Sequence, residues 1–392
     1  MDQPSAATST TTTATAPNPL PASHSTSTFS SQAEPLTERP TQKRPMEHDE
    51  SNPDAAPADT SDEQQAAKRT RFGTRYLEDE SQVFEQNAWD NVEWDPEQIE
   101  YAKKVVREQA LTMVSEADRE RYEAEAGEFW NKFYSQHDTK FFKDRNWLFT
   151  EFPELMPSEN STDSYHIFEP GCGVGNTVLP ILQTNRNPNL RVYAADFSAR
   201  AVELLKETPL FQAEQARCQA FVHDITSTDP YPIPEGSLDV IIIIFVLSAV
   251  DPSKMQDAMT RLARLLKPGG ALLLRDYGRH DLTQLRFKKN KMLSDNFYVR
   301  GDGTRVYFFS QDDLDSMLTK AGLVKEFNRP DNRLIVNRAK QIKMYRVWLQ
   351  VKYVKPFADG SLPAPLVSTA VVPPATSSPA SGSGSKSAEM DE

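Results

Sequence analysis

The stretch Tyr165-His-Ile-Phe-Glu-Pro-Gly-Cys-Gly-Val-Gly-Asn176 limits the possible folds more than any other part of the chain. Tyr165 to Phe168 has strand character, the next residues carry Gly171, Gly173 and Gly175 through a turn, and a helix is expected from near Asn176. Glycines at alternate positions remove the Cβ atoms that would hold a ligand off the main chain, and they permit the left-handed angles of a tight strand-to-helix turn. The spacing is G-x-G-x-G, unlike the G-x-G-x-x-G of dinucleotide sites, and Glu169 stands just ahead of it. A carboxylate there would repel a pyrophosphate and suit a ligand bearing an ammonium or sulfonium group. Glycines that merely turn the chain are the alternative.

From Tyr165 onward strands and helices alternate. Strands are expected at 165–168, 191–195, 220–223, 238–245 and 271–277, and helices near 176–184, 198–207, 252–266 and 310–321, with Lys267-Pro-Gly-Gly270 as a turn. The segments 323–328, 333–337 and 346–353 have strand character and would close the sheet in antiparallel fashion. This order predicts an α/β, mostly parallel, doubly wound sheet with ligands at the carboxyl ends of the strands. Ahead of it, Asp95-Pro-Glu-Gln opens one helix, and a second helical segment spans about 115–134. Trp130 and Tyr134 lie four apart, hence on one face, as core or as a ligand wall. Trp89 and Trp94 are too close together and too apolar to be left in water, so they should pack this arm on the domain.

The flanks differ in composition. Residues 1–70 are rich in Ser, Thr, Pro and Ala and 357–392 are similar, which predicts disorder because neither can bury enough apolar surface. Between them, 71–150 reads as an N-terminal arm with helices and 151–356 as the main domain. The longest apolar run, Val240 to Val250, is too short for a bilayer, and no secretory leader is evident. Cys172 and Cys218 have no neighbours at ligand spacing, which argues against a disulfide framework and a zinc site and fits a reducing compartment. The cytoplasm is the default; Lys43-Arg44 and Lys68-Arg69 would serve a nuclear signal or simply be solvated. The net charge of −12 opposes nucleic acid binding, but cations are clustered. Nine Lys and Arg occur from Lys325 to Lys355 against Glu326 and Asp331, and another group comprises Arg279, Arg286, Lys288, Lys289, Lys291, Arg300 and Arg305. Either set could be a solvated surface or hold a phosphate backbone.

The strand ends supply candidates. Asp196 follows the last glycine by about 20 residues, where an acid would accept from ribose hydroxyls; it could equally cap the next helix, as could Ser198. Asp224 would accept the amino group of an adenine with Ile225 against the ring, or be a turn aspartate. Ile244 would form an apolar floor, although a run of four isoleucines is first of all core.

Glycine turn, ribose acid, base acid and the Lys-Pro-Gly-Gly turn, in that order, resemble the class I, S-adenosylmethionine-dependent methyltransferases with their Rossmann-like sheet. Phe129-Trp-Asn-Lys-Phe-Tyr134, Phe141-Phe-Lys-Asp-Arg-Asn-Trp147, Ile244-Phe-Val-Leu-Ser-Ala249, Asp276-Tyr-Gly-Arg-His-Asp281, the block from Asn296 to Arg305 and Arg346-Val-Trp-Leu-Gln350 narrow this. They are similar to the family that forms 3-methylcytidine in tRNA. The resemblance covers about 72–356, and Phe72-Gly-Thr-Arg with Asn87 to Trp94 resembles its threonine-tRNA branch. It implies S-adenosylmethionine as cofactor, held by Trp130, Tyr134, Gly171, Asp196, Asp224, Ile225 and Ile244. It implies cytidine 32 of the anticodon loop of threonine tRNA as target, with arginine tRNA used by some relatives, and leaves room for a helper protein in tRNA selection. The basic stretches would hold the anticodon stem and loop. Neutral cytosine has a free lone pair at N3, so neither a general base nor a metal is called for. The group that stabilises the cationic product is not assigned. A methyltransferase acting on protein or a small molecule, and a non-catalytic RNA-binding relative, are the competing classes.

Overall fold

The computed structural model describes residues 75–139 and 141–363. Residues 1–74, Lys140 and 364–392 lie outside them, and with them most of the two tails, both N-terminal basic pairs and the Phe72-Gly-Thr part of the arm. No helix among the described residues is long and apolar enough to cross a membrane.

In chain order the strands are β1 (Ala88–Asp90), β2 (Tyr165–Pro170), β3 (Leu190–Asp196), β4 (Cys218–Val222), β5 (Leu238–Ile244), β6 (Leu266–Tyr277), β7 (Met292–Ser294), β8 (Phe297–Val299), β9 (Arg305–Tyr307), β10 (Val324–Asn337) and β11 (Ile342–Val354). The helices are α1 (Pro96–Ala110), α2 (Glu116–Ala124), α3 (Ala126–His137), α4 (Leu148–Glu151), α5 (Val178–Thr184), α6 (Ala199–Glu207), α7 (Pro209–Ala213), α8 (Pro252–Leu265), α9 (Leu282–Leu285) and α10 (Gln311–Lys320).

The main sheet has the order β1-β10-β11-β6-β5-β2-β3-β4. Strands β6, β5, β2, β3 and β4 are parallel, and β11, β10 and β1 add in antiparallel fashion. The order reverses at β2 and β5, which makes their carboxyl ends the topological switch point. Every residue of β5 is buried, and the reason is two-sided packing. Ile241 and Ile243 join a cluster with Met255, Met259 and Leu262 of α8, while Ile242 and Ile244 join another with Ile181 and Leu182 of α5. A strand covered on both faces needs a continuous apolar run, which is what the sequence supplies.

The ends of several elements differ from expectation for local reasons. The helical segment expected at 115–134 is two helices, α2 and α3, separated at Glu125, whose angles are not helical. Segments 323–328 and 333–337 are one strand, because β10 pairs along its whole length with β11 despite a bulge near Glu326. The Lys267-Pro-Gly-Gly270 turn is an excursion within β6: Leu266 pairs with Leu238 and Ala271 with Val240. The ring of Phe357 lies over Gly269, and 357–361 closes a hydrogen-bonded turn there.

A second sheet, β7-β8-β9, has no counterpart in the sequence reading. Its three-residue strands are too short to show alternation, and they are turned at Asn296 and Gly303, both with positive φ. With the N-terminal helices this sheet forms a cap. Phe129 of α3 packs where a Cβ on Gly303 would stand, Arg305 pairs with Glu123 of α2, and Gln109 of α1 donates to the carbonyls of Gln284 and Phe287. As expected for the arm, Trp89 is buried against Leu334 and Val336 and donates to the Val83 carbonyl at 2.8 Å, and Trp94 meets Tyr345 at 5.3 Å.

Candidate active site

A cleft opens at the switch point between the ends of β2 and β5 and the cap helix α3. Trp130, Tyr134, Gly171, Asp196 and Ile244 line it together. Residues from four separate elements thus converge, five of the seven named from the sequence.

The glycine turn is held from both sides. Gly171 and Gly173 have φ of +72° and +54°, angles that cost a side-chain-bearing residue about 1 kcal/mol or more. A Cβ on Gly171 would run into Val246, and one on Gly173 would stand 2.6 Å from the Tyr134 hydroxyl oxygen. The missing side chains therefore make room for protein groups that wall the cleft, as well as baring the backbone. The Gly173 N–H donates to Oδ2 of Asp196 at 2.8 Å and the Ser198 N–H to Oδ1 at 2.9 Å. Burial pushes the Asp196 carboxyl up to about 6, restrained by the Ser198 and Gly173 backbone N–H bonds. The capping role falls to Ser198, whose hydroxyl accepts from the Ala201 N–H and donates to Asn131 of α3 at 2.8 Å. That bond fixes the helix carrying Trp130 and Tyr134, whose rings lie 6.0 Å apart.

Glu169 has a different surrounding from the one its sequence position suggested. Its side chain is buried, does not line the cleft, and meets Arg145 at 3.5 Å. Burial pushes its carboxyl up to about 7, against the lowering effects of Arg145 and Thr177. Oε2 of Glu169 has no hydrogen-bond partner among the described residues. Arg145 also donates to the Thr177 hydroxyl at 3.0 Å and lines the cleft, so the first counter-charge of Glu169 is a protein cation.

Asp224 and Ile225 stand apart from the cleft lining. Asp224 is exposed and accepts from the N–H and hydroxyl of Thr226, a turn within its own loop. Ile225 is buried in the core cluster of α8. Their loop nevertheless adjoins the site, because the His223 N–H donates to the Asp196 carbonyl at 3.0 Å. Sequence reasoning did not select Phe142, Arg145, Phe197 and Phe245, all of which line the cleft. Phe142 and Arg145 sit in the block Phe141 to Trp147 that carries part of the family resemblance, and Phe197 and Phe245 each directly follow a parallel strand. Residues immediately after strand ends were the available signal. Among the described residues no group of three or more His, Cys, Asp or Glu is placed to hold a metal.

The two basic stretches are unlike. Lys325, Arg329, Arg333, Lys343, Arg346 and Lys352 each pair with a carboxylate. In the other stretch Arg279 and Arg305 pair with Asp313 and Glu123. Arg286, Lys288, Lys289 and Lys291 form no ion pair among the described residues, and the first three are exposed.

A family model described as a methyltransferase domain matches residues 168–272, the span from the end of β2 into β6. The chain is 52% identical to a protein of Danio rerio named tRNA N(3)-cytidine methyltransferase METTL2, over 79% of this chain and 96% of that one. It is 47% identical to the Homo sapiens protein named METTL2B, over 79% and 99% of the two chains. With the Schizosaccharomyces pombe protein named tRNA N(3)-methylcytidine methyltransferase trm140 it shares 48% identity over 72% and 92%. Identity near one half across almost the full length of these relatives, on a sheet whose switch point carries the cleft, shows that the chain belongs to the tRNA N(3)-cytidine methyltransferase family.

Proposed function

We propose that this enzyme methylates N3 of cytidine 32 in the anticodon loop of threonine tRNA, and of arginine tRNA as a second substrate, using S-adenosylmethionine. The observation that carries the reading is the convergence of Trp130, Tyr134, Gly171, Asp196 and Ile244 on one cleft in a chain of this family. The choice of nucleotide and of tRNA rests on the likeness of the Asn87 to Trp94 arm to the threonine-tRNA branch.

The cleft suits the cofactor. Asp196 keeps lone pairs beyond the two backbone bonds it accepts, which fits ribose hydroxyls; the rings of Trp130 and Tyr134 fit the apolar and sulfonium parts; Arg145 offers a cation to a carboxylate. Asp224 and Ile225, on the loop beside Asp196, are assigned to the adenine by resemblance. When bound, the cofactor supplies an electrophilic methyl group. The protein's part is to hold the base in line, exclude water and keep the helix α3 wall in place through Ser198 and Asn131. Cytosine must be unpaired and turned into the cleft, which a loop permits more easily than a stem.

The exposed cations Arg286, Lys288 and Lys289, without an ion pair among the described residues, follow β6, whose last residue Tyr277 stands beside the cleft-lining Phe245, and they are the better candidates for phosphate contacts. Arg333 and its neighbours in β10 and β11 are engaged in the fold. In a strain lacking this protein, primer-extension stops at position 32 of threonine tRNA should vanish and return with the wild-type gene. Stops that persist in the deletion strain would overturn the assignment.

A further inference from the structure

We propose that Phe245 is the face on which the target cytosine stacks, and that it stabilises the positive charge the base acquires. The proposal rests on the reading of this site as a tRNA cytidine methyltransferase centre. Phe245 is the first residue after β5, at the floor of the cleft, and its backbone is in the left-handed region with φ +58°. The other non-glycine residues with positive φ among the described residues are Asn91, Asp138, His280, Asn290, Asn296 and Gln341, all polar. Asn and Asp adopt that conformation at small cost; a phenylalanine does not.

The surroundings enforce the angle. The Phe245 N–H donates to the Arg275 carbonyl at 2.9 Å, and the next residue, Val246, fills the space over Gly171. Tyr277 stands beside the ring at a centroid distance of 5.1 Å, and the ring stays half-buried within the cleft lining. One side of Phe245 packs on the core cluster beside β5, but core packing by itself would not require a left-handed backbone. A strained aromatic at the cleft floor, backed by a second ring, is instead what an unstacked base needs for a platform.

The chemistry requires such a face. N3 of cytosine donates its lone pair to the methyl carbon as the carbon–sulfur bond breaks, the bonding pair stays on sulfur, and no proton moves. Positive charge passes from sulfur to the base. Asp196 is the only carboxylate among the cleft-lining residues, and the lone pairs left after the Gly173 and Ser198 N–H bonds are those assigned to the ribose hydroxyls. An aromatic face attracts a cation, and its hold on the base therefore strengthens as the methyl group is transferred.

The test compares Phe245→Leu, Phe245→Tyr and Phe245→Gly in the full chain, assayed with threonine tRNA. Phe245→Leu should lower kcat by about 10- to 100-fold, the range of base–aromatic stacking, while Phe245→Tyr stays within about threefold of wild type. S-adenosylmethionine affinity by calorimetry should change less than about twofold in all three. Pyrrolocytidine at the target position should lose fluorescence on binding wild type and Phe245→Tyr, and keep it with Phe245→Leu. Phe245→Gly, which accepts the backbone angle but gives up the ring's contacts with the core and Tyr277, should stay folded at the assay temperature and lose activity. Full activity of Phe245→Leu, or a parallel loss of cofactor affinity and melting temperature, would overturn the proposal. If wild type itself forms no 3-methylcytidine, the functional reading falls, and this proposal with it.

Discussion

In the β10–β11 pair the cations face carboxylates within the fold, whereas between α9 and β7 Arg286, Lys288 and Lys289 are exposed without an ion pair among the described residues. Arg275 shows the first kind at its extreme. It is buried between the rings of Trp147 and Trp348, at 4.9 and 5.0 Å, pairs with Asp331 and donates to Gln350 at 2.7 Å. Cations of this kind join strands β6, β10 and β11 to one another. A free lysine contributes little to the fold and keeps its full charge for a phosphate. Clusters of Lys and Arg in a sequence are therefore not equivalent, and only their acidic neighbours in space tell them apart.

The sharpest way to break this contrast is Asp331→Ala, which leaves Arg275 buried without its carboxylate. Stability to urea should fall by about 3–5 kcal/mol. A loss under 1 kcal/mol would mean that the β10–β11 cations are not structural.

The same logic reaches the cleft through Glu169. Its folded carboxyl sits near 7 against an ordinary 4.5. A raised carboxyl contributes stability that is fully present below the unfolded value and lost as pH rises through the folded one. Wild type should therefore lose stability from about pH 4.5 to beyond 7, and Glu169→Gln should flatten that loss, by roughly 1–3 kcal/mol at pH 8. Thermal melts of both proteins from pH 5 to 8 give the comparison; parallel curves would show that Arg145 holds the carboxylate ionised throughout.

For the free set, Lys288→Glu with Lys289→Glu should weaken tRNA binding by about tenfold or more near 0.15 M salt and reduce the salt slope by about 2, with an unchanged melting temperature. Filter binding across a salt series decides it, and unaltered binding would remove this surface from the tRNA contact. The smallest effect belongs to Lys325→Ala. Its pairing with Asp315 at 3.1 Å is exposed, so it should cost under about 1 kcal/mol and leave tRNA affinity as it was.

Much of this was legible in the residues. The glycine spacing, the apolar run of β5, the cap at Asp95 and the helix starts near Ser198 and Ser310 depend on local chemistry, and each stands within a residue or two of its expected place. Less legible were the short strands β7 to β9 and the break between α2 and α3, where contacts across the cap outweigh weak local preference. That Trp130 and Tyr134 meet Asp196 at one cleft was implied by the family resemblance, since position along the chain left the pair as core or ligand wall. The partners of Glu169 and Arg333, and the placing of Asp224 outside the cleft lining, were implied by neither.

By itself the sequence determined the alternating α/β order, the glycine turn and the family blocks, because periodicity, backbone angle and residue type are properties of neighbouring positions. Tertiary structure alone decided which cations remain free, which carboxylate meets which guanidinium, and that Phe245 enters the cleft in a strained backbone. Those depend on groups far apart in the chain meeting at a few ångströms, where burial and charge set the energies.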